Sequence, residues 1–265
     1  MHKSVRHHTT LKGVDAISIR SDRTFPRHTH GEFGFGYLLE GGQDSWSGRG
    51  LVEANAGETI TVNPAELHDG IGRHGQPRHW RMLYLSSGAV ELLTDTPVEY
   101  AEFSLPVNQS KQATRLVIDA IIAATFDNPE PELVEQLVML ALDALLGPPV
   151  KSCQPSTLRR SSDVQSVLDM IQQNWSAPLS LADFSHETGA SRFQILRRFS
   201  KELGATPHAY LTQHRVKRAK AMILAGSSLA DTAYACGFSD QSHLTRAFSR
   251  QIGVTPGCFS RAAIS

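Results

Sequence analysis

Apolar and polar residues alternate in three rhythms along these 265 residues. From Val14 to about Ser86 the apolar positions come in short alternating or β-branched runs broken by glycine. Examples are Phe33-Gly34-Phe35-Gly36-Tyr37-Leu38-Leu39, Thr59-Ile60-Thr61-Val62 and Trp80-Arg81-Met82-Leu83-Tyr84-Leu85. Short runs separated by turn signals predict an antiparallel barrel or jelly roll. From Lys111 to Phe126 and from Glu132 to Leu146 the apolar residues fall at helical spacing, with Pro129 and Pro131 between the two segments. That predicts an antiparallel helix pair over about 110–146, which either covers the β region or forms a homodimer seam.

The third rhythm repeats itself. Leu181, Ala182, Gly189, Ile195, Phe199 and Gly204-Ala205-Thr206-Pro207 return as Leu229, Ala230, Gly237, Leu244, Phe248 and Gly253-Val254-Thr255-Pro256. The offset is 48 up to the glycine and 49 after it, so one residue is added in the second turn. Ser180 and Ser228 stand where helix N-caps belong, and Gly189 and Gly237 where a short helix stops and the chain reverses. Each copy therefore predicts a helix-turn-helix, joined to the other by a longer helix from about Pro207 to Ala225.

Between these regions, 148–162 is rich in Pro, Ser and basic residues and predicts a linker. The expected organisation is a β-rich domain with its helix pair over 1–147, the linker, and an all-α domain over 163–265 whose first helix is capped by Asp163. The formal net charge is zero, but it is divided unevenly. Residues 1–159 carry 14 Lys and Arg against 19 Asp and Glu, and residues 160–265 carry 12 against 7. The basic half is the half with the repeat, as expected for a domain that displaces counterions from nucleic acid.

On the second helix of the first copy, Ile195, Phe199 and Leu203 share one face, which leaves Arg192, Phe193, Leu196, Arg197 and Ser200 opposite. On the second copy Leu244, Phe248 and Ile252 leave Gln241, Ser242, Thr245, Arg246 and Ser249 outward. Arg197 and Arg246 are equivalent. An arginine among small polar side chains suits the major groove, where it can bind the O6/N7 edge of guanine and Gln that of adenine. A connecting helix of some 18 residues would space the two faces by roughly one DNA turn, ~34 Å. The cationic run Arg215-Val216-Lys217-Arg218-Ala219-Lys220 is assigned to phosphate contact and packing.

Leu179 to Arg261, with Gly237-Phe238-Ser239-Asp240-Gln241-Ser242-His243-Leu244 and Gly253-Val254-Thr255-Pro256, closely resembles the signature of AraC/XylS-type transcription regulators. The resemblance implies a two-unit domain that binds promoter DNA and acts on RNA polymerase. Leu244 stands where the family often has an aromatic residue, and Leu196 is an apolar side chain on the groove face.

The run Phe25-Pro26-Arg27-His28-Thr29-His30-Gly31-Glu32, followed by Gly57-Glu58-Thr59-Ile60-Thr61-Val62-Asn63-Pro64 and His68, looks like the cupin-type effector domain of this family. On a strand His28 and His30 share a face, and His68 can join them from a neighbouring strand. Metal-binding cupins place a glutamate after the second histidine, where this chain has Gly34 and Phe35. The expectation is therefore an organic effector inside the barrel and no metal, although three histidines can hold one. The effector is expected to be oriented by His28, His30, Glu32, His68 and Arg81 and walled by Tyr37, Trp46 and Trp80.

Cys153, Cys236 and Cys258 are widely spaced and lack a CxxC pair, which argues for structural thiols and against a disulfide or cysteine zinc site. No apolar run reaches membrane-spanning length, so a cytoplasmic protein is expected. The rival readings are a cupin metalloenzyme with a DNA-binding tail, a cysteine-based repair regulator, and a nucleoid protein without sequence preference. A non-enzymatic regulator is expected over all three.

Overall fold

The computed structural model describes residues 2–48, 50–125, 130–147 and 161–264, and side chains up to residue 260. The chain forms two compact units, one up to residue 153 and the other from residue 154. Most of the expected linker, 148–160, lies outside the described residues, as does Cys153.

The first unit is built on two antiparallel sheets. A six-stranded sheet has the order β1 (His2–His7), β2 (Val14–Ser21), β9 (Arg78–Leu85), β4 (Phe33–Glu40), β7 (Thr59–Val62) and β10 (Val107–Asn108). A four-stranded sheet has the order β3 (Phe25–His28), β8 (His68–Gly72), β5 (Gly42–Ser47) and β6 (Gly50–Asn55). The Phe-Gly alternation of β4 explains how the larger sheet packs. Phe33, Phe35 and Tyr37 point outward into a buried cluster with α1 (Ser87–Thr94), α2 (Lys111–Thr125) and α3 (Pro131–Leu145). Gly34 and Gly36 face the other way, where Tyr84 and Met82 of β9 lie. A Cβ on Gly34 would stand 3.0 Å from the Tyr84 ring, and one on Gly36 would collide with Met82 Sδ and the Arg81 carbonyl. Bare backbone on β4 thus makes room for bulk on β9.

The helix pair forms as the periodicity expects. Val117, Ala120, Ile121 and Ala124 of α2 are buried against the sheet's outer face, and Val134, Val138, Ala141 and Leu142 of α3 extend the same buried cluster by packing on α2 and α1. A buried hydrogen bond of 2.9 Å between the Thr59 and Thr114 hydroxyls ties α2 to β7. Three elements lack a strong pattern in the sequence: β1, an edge strand of polar residues held by its ladder to β2; α1, capped by Ser86; and the two-residue β10.

The second unit contains α4 (Ser162–Asn174), α5 (Leu181–Thr188), α6 (Arg192–Leu203), α7 (Pro207–Leu224), α8 (Leu229–Ala235), α9 (Gln241–Ile252) and α10 (Pro256–Ile264). The duplication reappears in the caps. Ser180 and Ser228 accept from the backbone of Asp183 and Asp231, and Ser191 and Asp240 do the same for Gln194 and His243. The two N-caps Ser191 and Asp240 are 49 apart, so the added residue lies between Gly237 and Asp240. Asp163 is not the cap of α4. Ser161 holds that position, and α4 takes in Ser162, so the linker ends earlier than expected. Asp163 in the first turn instead pairs with Arg198, because its side chain points across to α6.

Ile195 and Phe199 join Phe184, Val167, Leu168, Ile171 and Leu211 in one core, while Leu244 and Phe248 are buried at the equivalent places of the second copy. Arg215 departs from the sequence reading. It is 8% exposed and donates to the carbonyls of Trp175 (2.8 Å, from Nε) and Ala177 (2.7 Å, from Nη2). It holds the turn after α4 and is not a phosphate contact. Lys217 and Arg218 of the same run are exposed, with Arg218 stacked 5.5 Å from the Trp175 ring. Among the described residues no helix is long and apolar enough to cross a membrane.

Candidate nucleic-acid interface and ligand site

Two equivalent helices, α6 and α9, carry the predicted reading faces. On α6, Arg192, Phe193 and Arg197 are exposed, Phe193 at 71%, while Leu196 and Ser200 are half-buried. Phe193, Gln194, Arg197, Arg198 and Lys201 line a shallow depression on this face. Arg198, absent from the predicted set, is turned partly aside by its ion pair with Asp163. On α9, Gln241, Ser242 and Arg246 are exposed and Thr245 is half-buried. Ser249 differs from expectation: its Oγ is buried without a hydrogen-bond partner among the described residues, because the helix turns that position toward the core edge.

Each helix presents its amino-terminal turn with a defined cap. Asp240 accepts from the His243 amide at 2.7 Å, a bond that holds its carboxyl below the usual range. Gly189 (φ +70°) and Gly237 (φ +71°) make the reversals before α6 and α9. A Cβ at Gly237 would collide with the Ser176 carbonyl, whereas Gly189 has open space around it. The rod between the two copies, α7, has 18 residues and spans about 27 Å at 1.5 Å per residue.

In the first unit only part of the predicted effector set comes together. His28 on β3, His30 in the following loop and His68 on β8 converge, with ring centroids 4.3 Å apart for His28–His68 and 4.9 Å for His30–His68. Glu32 lies beside them, its Oε2 3.9 Å from His30 Nδ1. The Tyr84 ring packs edge-on against His30 at 5.1 Å, and burial raises its phenol far above the ordinary value.

The other four predicted effector residues are elsewhere. Tyr37 and Arg81 are register partners on the helix-facing side of the six-stranded sheet, away from the histidines. Trp46 lies on the outer face of the four-stranded sheet under the Arg27 guanidinium, 4.5 Å from its ring. Its backbone amide donates to Asp69, one residue past the inward His68. Trp80 does face inward but is covered, with Phe25 at 5.5 Å and the Arg78 guanidinium at 4.8 Å.

Arg78 was not predicted. It is 1% exposed and donates to Gln43 Oε1 and to the carbonyls of Arg23 and Gly70, and burial lowers its pKa to about 10. It binds β9 to the smaller sheet and fills the interior beside Trp80. The signal for it is the even-numbered phase of β9, which places 78, 80, 82 and 84 on one face.

Cys236 is buried, which raises its pKa, and both it and Cys258 are free.

A model of an AraC-like ligand binding domain matches residues 12–142, and a model of a helix-turn-helix domain matches residues 184–262. The chain is 26% identical over 230 residues to the HTH-type transcriptional regulator YbfI of Bacillus subtilis, covering 83% of this chain and 81% of YbfI. It is 31% identical over 113 residues to the HTH-type transcriptional activator RhaR of Klebsiella pneumoniae, covering 41% of this chain and 40% of RhaR. Two further regulators that it matches, MtrA of Neisseria gonorrhoeae and LumQ of Photobacterium leiognathi, are spanned over 32% and 58% of their length. Among solved structures, ToxT of Vibrio cholerae with a bound unsaturated fatty acid superposes with a TM-score of 0.51 at 9% identity, over 98% of this chain and 94% of ToxT. At that identity the likeness is one of fold.

Proposed function

The chain belongs to the AraC family of transcription regulators, and from that premise we propose that α6 and α9 read base edges in two successive major grooves while the β-rich unit binds the controlling ligand. The family makes it a DNA-binding transcription regulator with an amino-terminal ligand-binding domain. The observation that carries the finer reading is the duplicated exposed face. Arg197 and Arg246 stand at equivalent positions on helices whose opposite faces are buried, each helix entered through a capped glycine turn. The contacting set is Arg192, Phe193, Leu196, Arg197 and Ser200 on α6 and Gln241, Ser242, Thr245 and Arg246 on α9. The bases are read by arginine and glutamine, and exposed Lys201, Lys217 and Arg250 supply phosphate contacts.

The domain limits follow from this reading: ligand binding over 1–147 and DNA binding from α4 onward. RNA polymerase is the partner at the promoter, and the work is regulatory, without catalysis, in the cytoplasm. Ile122, Leu133, Met139 and Leu140 of the helix pair remain 42% to 50% exposed, which supports self-association through that pair. A ligand controls such a protein only through different affinities for two of its states. ToxT with its fatty acid supports a small-molecule controller as a class.

Footprinting tests the proposal. Purified chain should protect two segments about one helical turn apart on one side of a fragment selected from genomic DNA. Protection of a single groove, or equal binding to every fragment at moderate salt, would overturn it.

A further inference from the structure

The three inward histidines have a common chemistry that the ligand-binding reading leaves unused. Each directs its Nδ1 at a backbone carbonyl: His28 at Pro26 O (2.8 Å), His30 at Glu32 O (3.2 Å) and His68 at Glu66 O (3.0 Å). A carbonyl oxygen only accepts, so each Nδ1 carries the proton, and a neutral imidazole has one N–H. The lone pair of all three rings is therefore on Nε2. One nitrogen from each ring lies within 4.8 Å of the others.

We propose that His28, His30 and His68 bind a divalent transition-metal ion through their Nε2 atoms. Three features set the class of ion. The donors are imidazole nitrogens, which suit zinc, cobalt, nickel, copper and iron(II) and not magnesium or calcium. The Nδ1–H to carbonyl bonds are the outer-shell arrangement that fixes tautomer and ring orientation in histidine metal sites. The cluster is preformed from a strand, its following loop and a paired strand, His28 being the direct register partner of His68. At metal–nitrogen distances of about 2.0–2.1 Å the donors of a tetrahedral site stand roughly 3.3 Å apart, so the three rings must draw closer to close the set around an ion.

Glu32 sits on the Nδ1 side of His30 and is not a ligand. Three neutral ligands leave the ion's double charge uncompensated and a coordination position open, where water or an acidic effector group fits.

The inference builds on the reading of the first unit as a ligand-binding domain and is independent of DNA binding. Full-length protein, cleared of metal by chelator, is titrated with Co²⁺ alone. The expected result is one ion per chain, visible d–d absorption typical of four or five coordination, and a higher unfolding temperature. His68→Asn keeps a side-chain N–H for the Glu66 carbonyl but removes Nε2. It should weaken Co²⁺ binding by more than the ~10–100-fold that loss of an outer-shell partner costs. If that variant does not fold, His28→Asn tests the same point against Pro26. Absence of d–d bands, or binding undiminished in a folded variant, would overturn the proposal. Undiminished binding would place the ion on other histidines, such as those of β1. A failure of the footprint leaves this titration unaffected, so the two readings fall separately.

Discussion

Replacing Arg215 by Met separates a structural guanidinium from a DNA contact. The side chain is buried and donates to two carbonyls, of Trp175 and Ala177, in the turn that leads from α4 to α5. A hydrogen bond from a charged donor contributes about 1.5–3 kcal/mol, so two lost bonds give roughly 3–6. Removing a guanidinium from a buried site offsets part of that, and its lowered pKa shows that burial already opposes the charge. A net loss of about 2–4 kcal/mol is expected. For a unit of about 100 residues each kcal/mol moves the midpoint by about 4–8 °C, so the transition of the second unit should fall by roughly 8–32 °C. Thermal unfolding followed by circular dichroism measures it. Below the transition, the salt dependence of DNA binding should be unchanged. An unaltered midpoint, with the slope of log K against log salt reduced by about 0.9, would mean that Arg215 neutralises a phosphate and that the structural account of it is wrong.

Glycine replacements in the two turns should differ. Gly189→Ala meets no neighbour and should cost about 1–2 kcal/mol for its left-handed backbone, while Gly237→Ala adds a collision with the Ser176 carbonyl and should cost more; equal urea midpoints would argue against the tighter second turn. The metal-free first unit should weaken in acid. His28 and His68 have folded pKa values lowered from 6.5 to about 3, each chiefly by burial and then by a neighbouring imidazole, His68 for His28 and His30 for His68, with Glu32 and Asp69 also facing the cluster. The unfolded chain therefore binds more protons between those values, so stability present above pH 6.5 is lost as pH falls toward 3, by up to ~1.4 kcal/mol per pH unit for each histidine. Urea unfolding in chelator across that range checks it, and a flat profile from pH 7 to 4 would refute it. Arg78→Met removes three donated hydrogen bonds from the barrel interior and should destabilise the first unit by several kcal/mol, as read by its urea midpoint.

The helical half was legible because its signals are local. Caps, glycine turns and the 3.6-residue period each involve neighbours in sequence, and the repeat states them twice. The sensing half was legible as strands but not as faces. Alternation says that Tyr37 and Leu38 point opposite ways, but which way is inward depends on where α2 and α3 pack, a long-range fact. The alternation alone therefore places Tyr37, Arg81 and Trp46 in the interior, whereas two outer faces hold them. The histidines survived that ambiguity because His28 and His68 are cross-strand partners. Arg78 went unseen because a buried arginine is unusual and its partners are mostly backbone carbonyls, which leave no trace in composition. Ser249 and Arg215 show the same limit in the helical half, where a polar side chain at the edge of a face can turn inward.

The central claim is that α6 and α9 are a matched pair of base-reading helices. The most direct measurement compares Arg197→Ala and Arg246→Ala on a selected site and on random duplex at the same salt. Each variant should lose roughly 1–3 kcal/mol of affinity on the selected site and much less on random DNA, with unfolding midpoints unchanged. Equal losses on both duplexes would reduce the two arginines to phosphate contacts and contradict the claim.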